Sequence, residues 1–151
     1  MTTRRAGKMN RRGESDAHAL RSIGLVRSTL RELRDAPRQA SEGAPEALLE
    51  IDPRFAEALH RVRPGMDLIL LTWLHRADRD VLQVHPRDDE SIPLTGVFAT
   101  RSSHRPNPIG LHRVTVLEIE SPTTLRVQAL EAIDGTPILD LKAVMDETRD
   151  E

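Results

Sequence analysis

Apolar residues along this chain fall into short runs broken by turn residues, with no long stripe of helical period. Leu20 to Ser28 (LRSIGLVRS) predicts a first strand, and residues 29–45 are polar and irregular around Pro37-Arg38-Gln39. Asp52 is placed to cap a short helix with Pro53 at its first position, Phe55, Leu59 and Val62 as its apolar stripe, and Pro64-Gly65 at its end. Leu68 to Leu74 is a continuous apolar run, which predicts a strand buried on both faces, with Trp73 in the core. Arg79 to His85 alternates more loosely. Thr95 to Thr100, Arg113 to Glu120, Leu125 to Leu130 and Ile138 to Val144 predict further strands. Ser121-Pro122-Thr123 joins two of them as a hairpin, and Asp134-Gly135-Thr136-Pro137 makes another turn. Six or seven strands with one short helix and no alternating helices predict an all-β domain, an antiparallel barrel or sandwich. No strand–GxGxxG–helix unit occurs, so a nucleoside cofactor would not be held in the Rossmann way.

A length of 151 residues suits one domain with a core of its own. The absence of Cys excludes disulfides and thiolate metal sites and fits a reducing compartment. With no apolar run near a membrane span and no signal-peptide core, the expectation is a cytoplasmic protein. The net charge is −2 but unevenly placed. Arg4, Arg5, Lys8, Arg11 and Arg12 make a basic arm within residues 1–18, read as a disordered tail flanking a domain at 19–145. Residues 146–151 form a mostly acidic tail. Such an arm attracts phosphates without reading sequence. Phe55, Trp73 and Phe98 are the whole aromatic complement, too few for a base-stacking platform. Metal is not expected: the carboxylates of His85-Pro86-Arg87-Asp88-Asp89-Glu90 point apart and match no ligand spacing, so the segment reads as a solvated loop.

Gly96 to Gly110, GVFATRSSHRPNPIG, carries the most chemistry. A strand end at Val97-Phe98-Ala99 runs into Arg101, His104 and Arg105 and then into Pro106-Asn107-Pro108. Each proline fixes its own φ and pushes the preceding residue out of the helical region. The stretch is expected to be extended, with the carbonyls of Arg105 and Asn107 free and Gly110 turning the chain by an unusual φ. Stiff backbone bearing guanidiniums, an imidazole and an amide suits a preorganised site for a carboxylate or phosphate. His104 is available as a base or as a hydrogen-bond donor. Glu131, Asp134 and Asp140 cluster near one turn, where they serve either proton transfer or ordinary turn chemistry. His75 beside Arg76 is a candidate pocket wall.

These segments together resemble the YaeB-like (TrmO-like) family, β-barrel methyltransferases that modify threonylcarbamoyl-adenosine in tRNA. The resemblance runs from about Ser22 to Lys142 and rests on IGLVRS, Pro37-Arg38-Gln39, Trp73 with His75, GVFATRSSHRPNPIG, and DGTP followed by Asp140-x-Lys142, all in the family's order. It implies a small antiparallel β-barrel with one short helix, a homodimer that binds S-adenosylmethionine partly at the subunit interface, and tRNA as substrate. Carried over, the donor pocket comprises Arg38, Gln39, Ala40, Ser41, Glu42, His75, Arg76, Arg101, Leu111, Gln128, Ala129, Leu130 and Glu131. Asp134, His104 and Asn107 are the candidate catalytic residues, with Glu131 an alternative proton acceptor. Lys142 is followed by Ala143-Val144 where the family has Pro-Tyr, and the further domain of many members is not in this sequence. Both departures bear on the methyl acceptor more than on the donor. The alternatives are the same enzyme class with another RNA or a small molecule as acceptor, and a non-catalytic barrel that binds anions or RNA.

Overall fold

The computed structural model describes residues 17–145 apart from Gln39. The basic arm, the acidic tail and the Gln39 position therefore lie outside the described residues. Six strands close into an antiparallel barrel in the order β1, β2, β7, β6, β3, β8. They are β1 (Gly24–Arg27), β2 (Ala47–Ile51), β3 (Asp67–Trp73), β6 (Ile109–Ser121), β7 (Thr124–Gln128) and β8 (Pro137–Ala143). A separate two-stranded ribbon pairs β4 (Gln83–Val84) with β5 (Thr95–Gly96). Closure leaves the barrel without a free edge.

Alternation along each strand builds the interior. Val26, Leu49, Leu70, Val114, Val116, Leu125, Val127 and Ile138 point inward and are essentially inaccessible, each worth roughly 1.5–3 kcal/mol of apolar burial. β3 corrects an expectation: Leu68, Leu70 and Thr72 are buried, whereas Ile69, Leu71 and Trp73 on the outer face are only half-buried. Trp73 is thus not core; it lies on the outside under the Arg79 guanidinium, 5.1 Å from the ring centre. β3 also cannot use Leu68–Leu74 to pair with a second copy as an edge, because β6 and β8 already flank it.

The connections divide between two ends. One end carries the β2–β3 connection and the Pro122-Thr123 hairpin. Here Asp52 accepts a hydrogen bond from the Arg54 N–H at 2.9 Å and starts a 3-10 helix at Pro53–Leu59, whose Phe55 and Leu59, with Val62 and Met66, close the core. The other end, hereafter the mouth, gathers the chain leaving β1, β3 and β7 and entering β2, β6 and β8. Its loops are residues 28–46, 74–108 and 129–136. Two predicted strands dissolve in the longest of these. Of Arg79–His85 only Gln83–Val84 pairs, and Thr95–Thr100 shrinks to Thr95–Gly96 before a 3-10 turn at Val97–Ala99. That turn leaves Phe98 85% exposed.

β6 starts at Ile109, four residues before the expected Arg113, because Gly110 lies inside the strand. Its φ is not positive. A side chain there would meet Thr72 Oγ1 at 2.3 Å and His112 Nε2 at 2.6 Å. Gly110 is required for close approach, not for turning.

Candidate functional site

Every described segment that sequence reading nominated for the donor pocket or for catalysis borders the mouth. Topology alone brings them to one end of the barrel.

The proline loop is not extended as expected: it bends at Arg105, Pro106 and Asn107, and it spends its polar groups on itself. Arg105 turns inward, donating to the carbonyls of Val97 and, at 3.2 Å, Thr100, while its backbone N–H reaches the Asp78 carbonyl at 3.1 Å. It does not project toward solvent to meet a phosphate. The Asn107 carbonyl is not free either, since it accepts from the Ile109 N–H at 2.7 Å. Arg79, overlooked in the sequence, straps the loop: it donates to the Pro106 carbonyl at 2.6 Å and to Asn107 Oδ1 at 3.1 Å. Asn107 is therefore a structural acceptor. His104 Nδ1 accepts from the Asp78 N–H at 2.8 Å. A neutral ring so bonded carries its hydrogen on Nε2, and there it is a donor and not a base. Arg101, by contrast, is exposed and has no hydrogen bond or ion pair among the described residues.

Asp134 is equally committed. Oδ1 accepts from the Ser28 N–H at 3.0 Å, Oδ2 pairs with Arg31 at 2.9 Å, and the Asp134 N–H meets the Leu30 carbonyl at 2.7 Å. Arg76 extends this brace by donating to the Arg31 carbonyl at 3.0 Å. The turn that follows has Gly135 at φ +80°, a conformation glycine adopts without strain.

Glu131 differs. It faces a buried chain of polar groups that sequence reading missed: Glu131 Oε1 to His112 Nδ1 at 2.5 Å, and His112 Nε2 to Thr72 Oγ1 at 2.8 Å. Thr72 is fully buried and His112 is 6% exposed. A bulge in the β3–β8 pairing lies here, where Leu71 faces Asp140 but Thr72 faces Ile138 and Leu139 is the extra residue; bulges commonly re-aim side chains beside sites. The available signal was alternation: Gly110, His112 and Val114 share the inward face of β6, and a histidine on such a face requires a partner.

The remaining candidates ring the mouth. Gln128 is exposed, Ala129 has φ +58°, and Leu130 is core, its N–H bonded to the Pro45 carbonyl at 3.0 Å. The 40–42 turn is tied to the 74–108 loop by Arg38–Asp88 at 2.6 Å and by an Arg87–Glu42 ion pair. Ala40 belongs to that turn and Ser41 is exposed on it. His75 is exposed. Leu111 is 46% exposed on the outer face of β6, away from His112. Of two open depressions of about 480 and 780 Å³, one lies at the far end beside Asp67 and Arg113, and the other borders the mouth along β1 and β2 beside Arg31 and Asp134. Neither contains Arg101, Leu111 or Glu131. No helix among the described residues is long and apolar enough to cross a membrane.

Comparison with known proteins gives a concordant picture. Residues 25–149 match the model of the tRNA-methyltransferase O N-terminal domain. An S-adenosyl-L-methionine-binding protein of Archaeoglobus fulgidus is 40% identical over 123 residues, covering 82% of this chain and 86% of its own length. A second protein of that organism, described as a "probable S-adenosyl-L-methionine-binding protein", is 43% identical over 123 residues, again 82% of this chain but 33% of its own. The crystal structure of TrmO from Pseudomonas aeruginosa superposes with a TM-score of 0.69 at 31% identity, over 89% of this chain and 59% of that one. The chain thus spans a third of one relative and about three-fifths of the solved enzyme.

Proposed function

Because the chain belongs to the tRNA-methyltransferase O N-terminal domain family, we propose that it is an S-adenosylmethionine-dependent methyltransferase acting on tRNA in the cytoplasm. The acceptor we assign is the exocyclic nitrogen of threonylcarbamoyl-adenosine next to the anticodon. The observation that carries this reading is the convergence of the donor-pocket segments on one mouth, where Arg101 and one oxygen of Glu131 stay without protein partners.

The donor's functional groups suit these residues. A free, planar guanidinium matches the donor's carboxylate, and an unpartnered carboxylate oxygen matches its ammonium or ribose hydroxyls. When bound, the sulfonium supplies an electrophilic methyl group, which passes to the nitrogen as the carbon–sulfur bond breaks and a thioether leaves. The chain's task is then alignment, which a strapped proline loop performs without further ordering. The proton released by the accepting nitrogen needs an acceptor. Asp134 has both oxygens engaged, His104 presents a donor and the free oxygen of Glu131 is taken by the methyl donor, so the proton passes to solvent.

A second copy of the chain completes the site in this reading. Leu111 and Glu131 lie on opposite faces of the β6 wall, and Phe98, Ile109 and Leu111 form exposed apolar surface near the mouth. Light scattering should report a dimer, and a monomer that still binds donor tightly would refute a shared pocket. Ala143 and Val144 fall at the far end, with the Val144 N–H on the Asp67 carbonyl, so the loss of Pro-Tyr leaves this chain's own mouth unaltered.

The test is methyl incorporation into tRNA carrying the threonylcarbamoyl group but lacking its methylation, beside tRNA that never received the group. Incorporation into the first alone is expected. Equal incorporation into both assigns a different RNA acceptor. Arg101→Ala should weaken binding of S-adenosylhomocysteine, the demethylated donor, by about tenfold. Calorimetry that detects no binding even by the unaltered protein would sink the enzyme reading.

A further inference from the structure

The chain Thr72–His112–Glu131 has the order of hydroxyl, imidazole and carboxylate found in nucleophilic triads. It does not work as one, because the Thr72 hydroxyl is wholly buried beneath the barrel wall and no substrate reaches it. The chain's accessible terminus is the carboxylate. Glu131 retains 17% side-chain exposure, and its second oxygen has no partner among the described residues.

The hydrogens follow from the groups. An ionised carboxylate only accepts, so His112 Nδ1 carries the hydrogen directed at Glu131. The arrangement that buries no charge on the ring has Nε2 accepting from the Thr72 hydroxyl. Three features serve this arrangement: Thr72 is directed inward at a bulge, Gly110 leaves room beside the Thr72–His112 bond, and β6 places His112 inward. No other titratable side chain is bonded to His112 among the described residues.

We propose that His112 is a positioning residue of the donor site, holding Glu131 with one oxygen inward so that the other meets a hydrogen-bond-donating group of the bound nucleoside donor. This rests on the reading that residues 128–131 wall the donor pocket, and it adds a residue that the family resemblance did not nominate. Partners that orient metal-binding side chains are typically worth about 10–100-fold in affinity, and a hydrogen bond that holds a ligand-binding carboxylate acts by the same geometry.

Calorimetric titration of the full chain with S-adenosylhomocysteine and with 5′-methylthioadenosine tests the proposal. His112→Leu fills similar apolar volume but gives Glu131 no donor, and it should weaken S-adenosylhomocysteine binding by roughly tenfold or more. His112→Asn sets an amide N–H where Nδ1 stood and should recover affinity to within about threefold of the original. Thr72→Val removes only the far anchor and should cost about threefold, which keeps the proposal testable if His112→Leu does not fold. An equal loss with 5′-methylthioadenosine assigns the contact to the adenosine part, its ribose hydroxyls or 6-amino group; a loss confined to S-adenosylhomocysteine assigns it to the ammonium. His112→Leu or Thr72→Val that folds and binds like the original overturns the proposal, as does His112→Asn that binds no better than His112→Leu. Failure of the unaltered protein to bind either ligand overturns the donor-site reading, and this inference with it.

Discussion

At the far end of the barrel, Asp52 accepts from the backbone and guanidinium of Arg54, and Asp67 from Thr115 and Arg113. Each carboxylate has its donors within the same or the adjacent element. At the mouth, Arg101 and His75 have no partner among the described residues, and Glu131 uses one oxygen of two. Phe55, Leu59, Val62 and Met66 pack onto the core at the far end, whereas Phe98 and Leu111 stand exposed near the mouth. These far-end carboxylates are met within the chain, whereas Arg101, His75 and one oxygen of Glu131 at the mouth remain available. A stable scaffold on one side frees the other to keep unpaired groups at tolerable cost.

Two glycines give the sharpest way to break this comparison. Gly110→Ala drives a methyl group against Thr72 Oγ1 and His112 Nε2, and Gly24→Ala drives one to 2.2 Å from the Glu50 carbonyl oxygen at the far end of β1. Each should lower stability by roughly 2–3 kcal/mol in urea denaturation. Only Gly110→Ala should also weaken donor binding by the folded protein. Equal affinity for the two variants would dissolve the distinction between the ends.

Asp134→Ala makes a second cut, within the mouth itself. It leaves the Ser28 N–H unpaired and releases Arg31, for a loss of about 1–2 kcal/mol, while methyl transfer per folded molecule persists. Abolished turnover with donor binding intact would return Asp134 to the role of base.

The smallest effect is a pH dependence at the far end. The Thr115 hydroxyl first, and then Arg113, hold Asp67 below its ordinary value of 3.8. The side chain and backbone of Arg54 do the same for Asp52. A carboxyl depressed in the folded state adds stability that is complete above the ordinary value and disappears as pH falls through the native one. Asp67→Asn should therefore narrow the fall in Tm between pH 6 and pH 2, with donor affinity at neutral pH unchanged. An undiminished acid loss would show that other carboxyls govern that limb.

Much of the fold was legible because it is local. Short apolar runs between turn residues marked β1, β3, β6, β7 and β8, although β2 at Ala47–Ile51 was not among the predicted strands; Asp52-Pro53 announced the short helix, and Asp134-Gly135 and Pro122-Thr123 announced their turns. The misreadings share a cause. Val97-Phe98-Ala99 is as apolar as a strand, yet it coils because Arg105 takes the Val97 carbonyl and Thr100 closes a turn on it. Leu68–Leu74 looks buried on both faces because its outer residues are apolar, but among the described residues these are only half-covered.

By itself the sequence determined the strand-rich class, the stiffness of the Arg105–Pro108 segment, and the set of loops that carry polar chemistry, since each follows from the φ limits, side-chain period and charge of neighbouring residues. Only the tertiary structure decided which of those polar groups remain available. Arg79, Arg105, Asn107 and Asp134 are consumed by partners 5 to 106 residues away, and His112 finds Thr72 and Glu131 at separations of 40 and 19. Whether a hydrogen-bonding group is spare depends on what the closed barrel brings within 3 Å of it, and no local pattern encodes that distance.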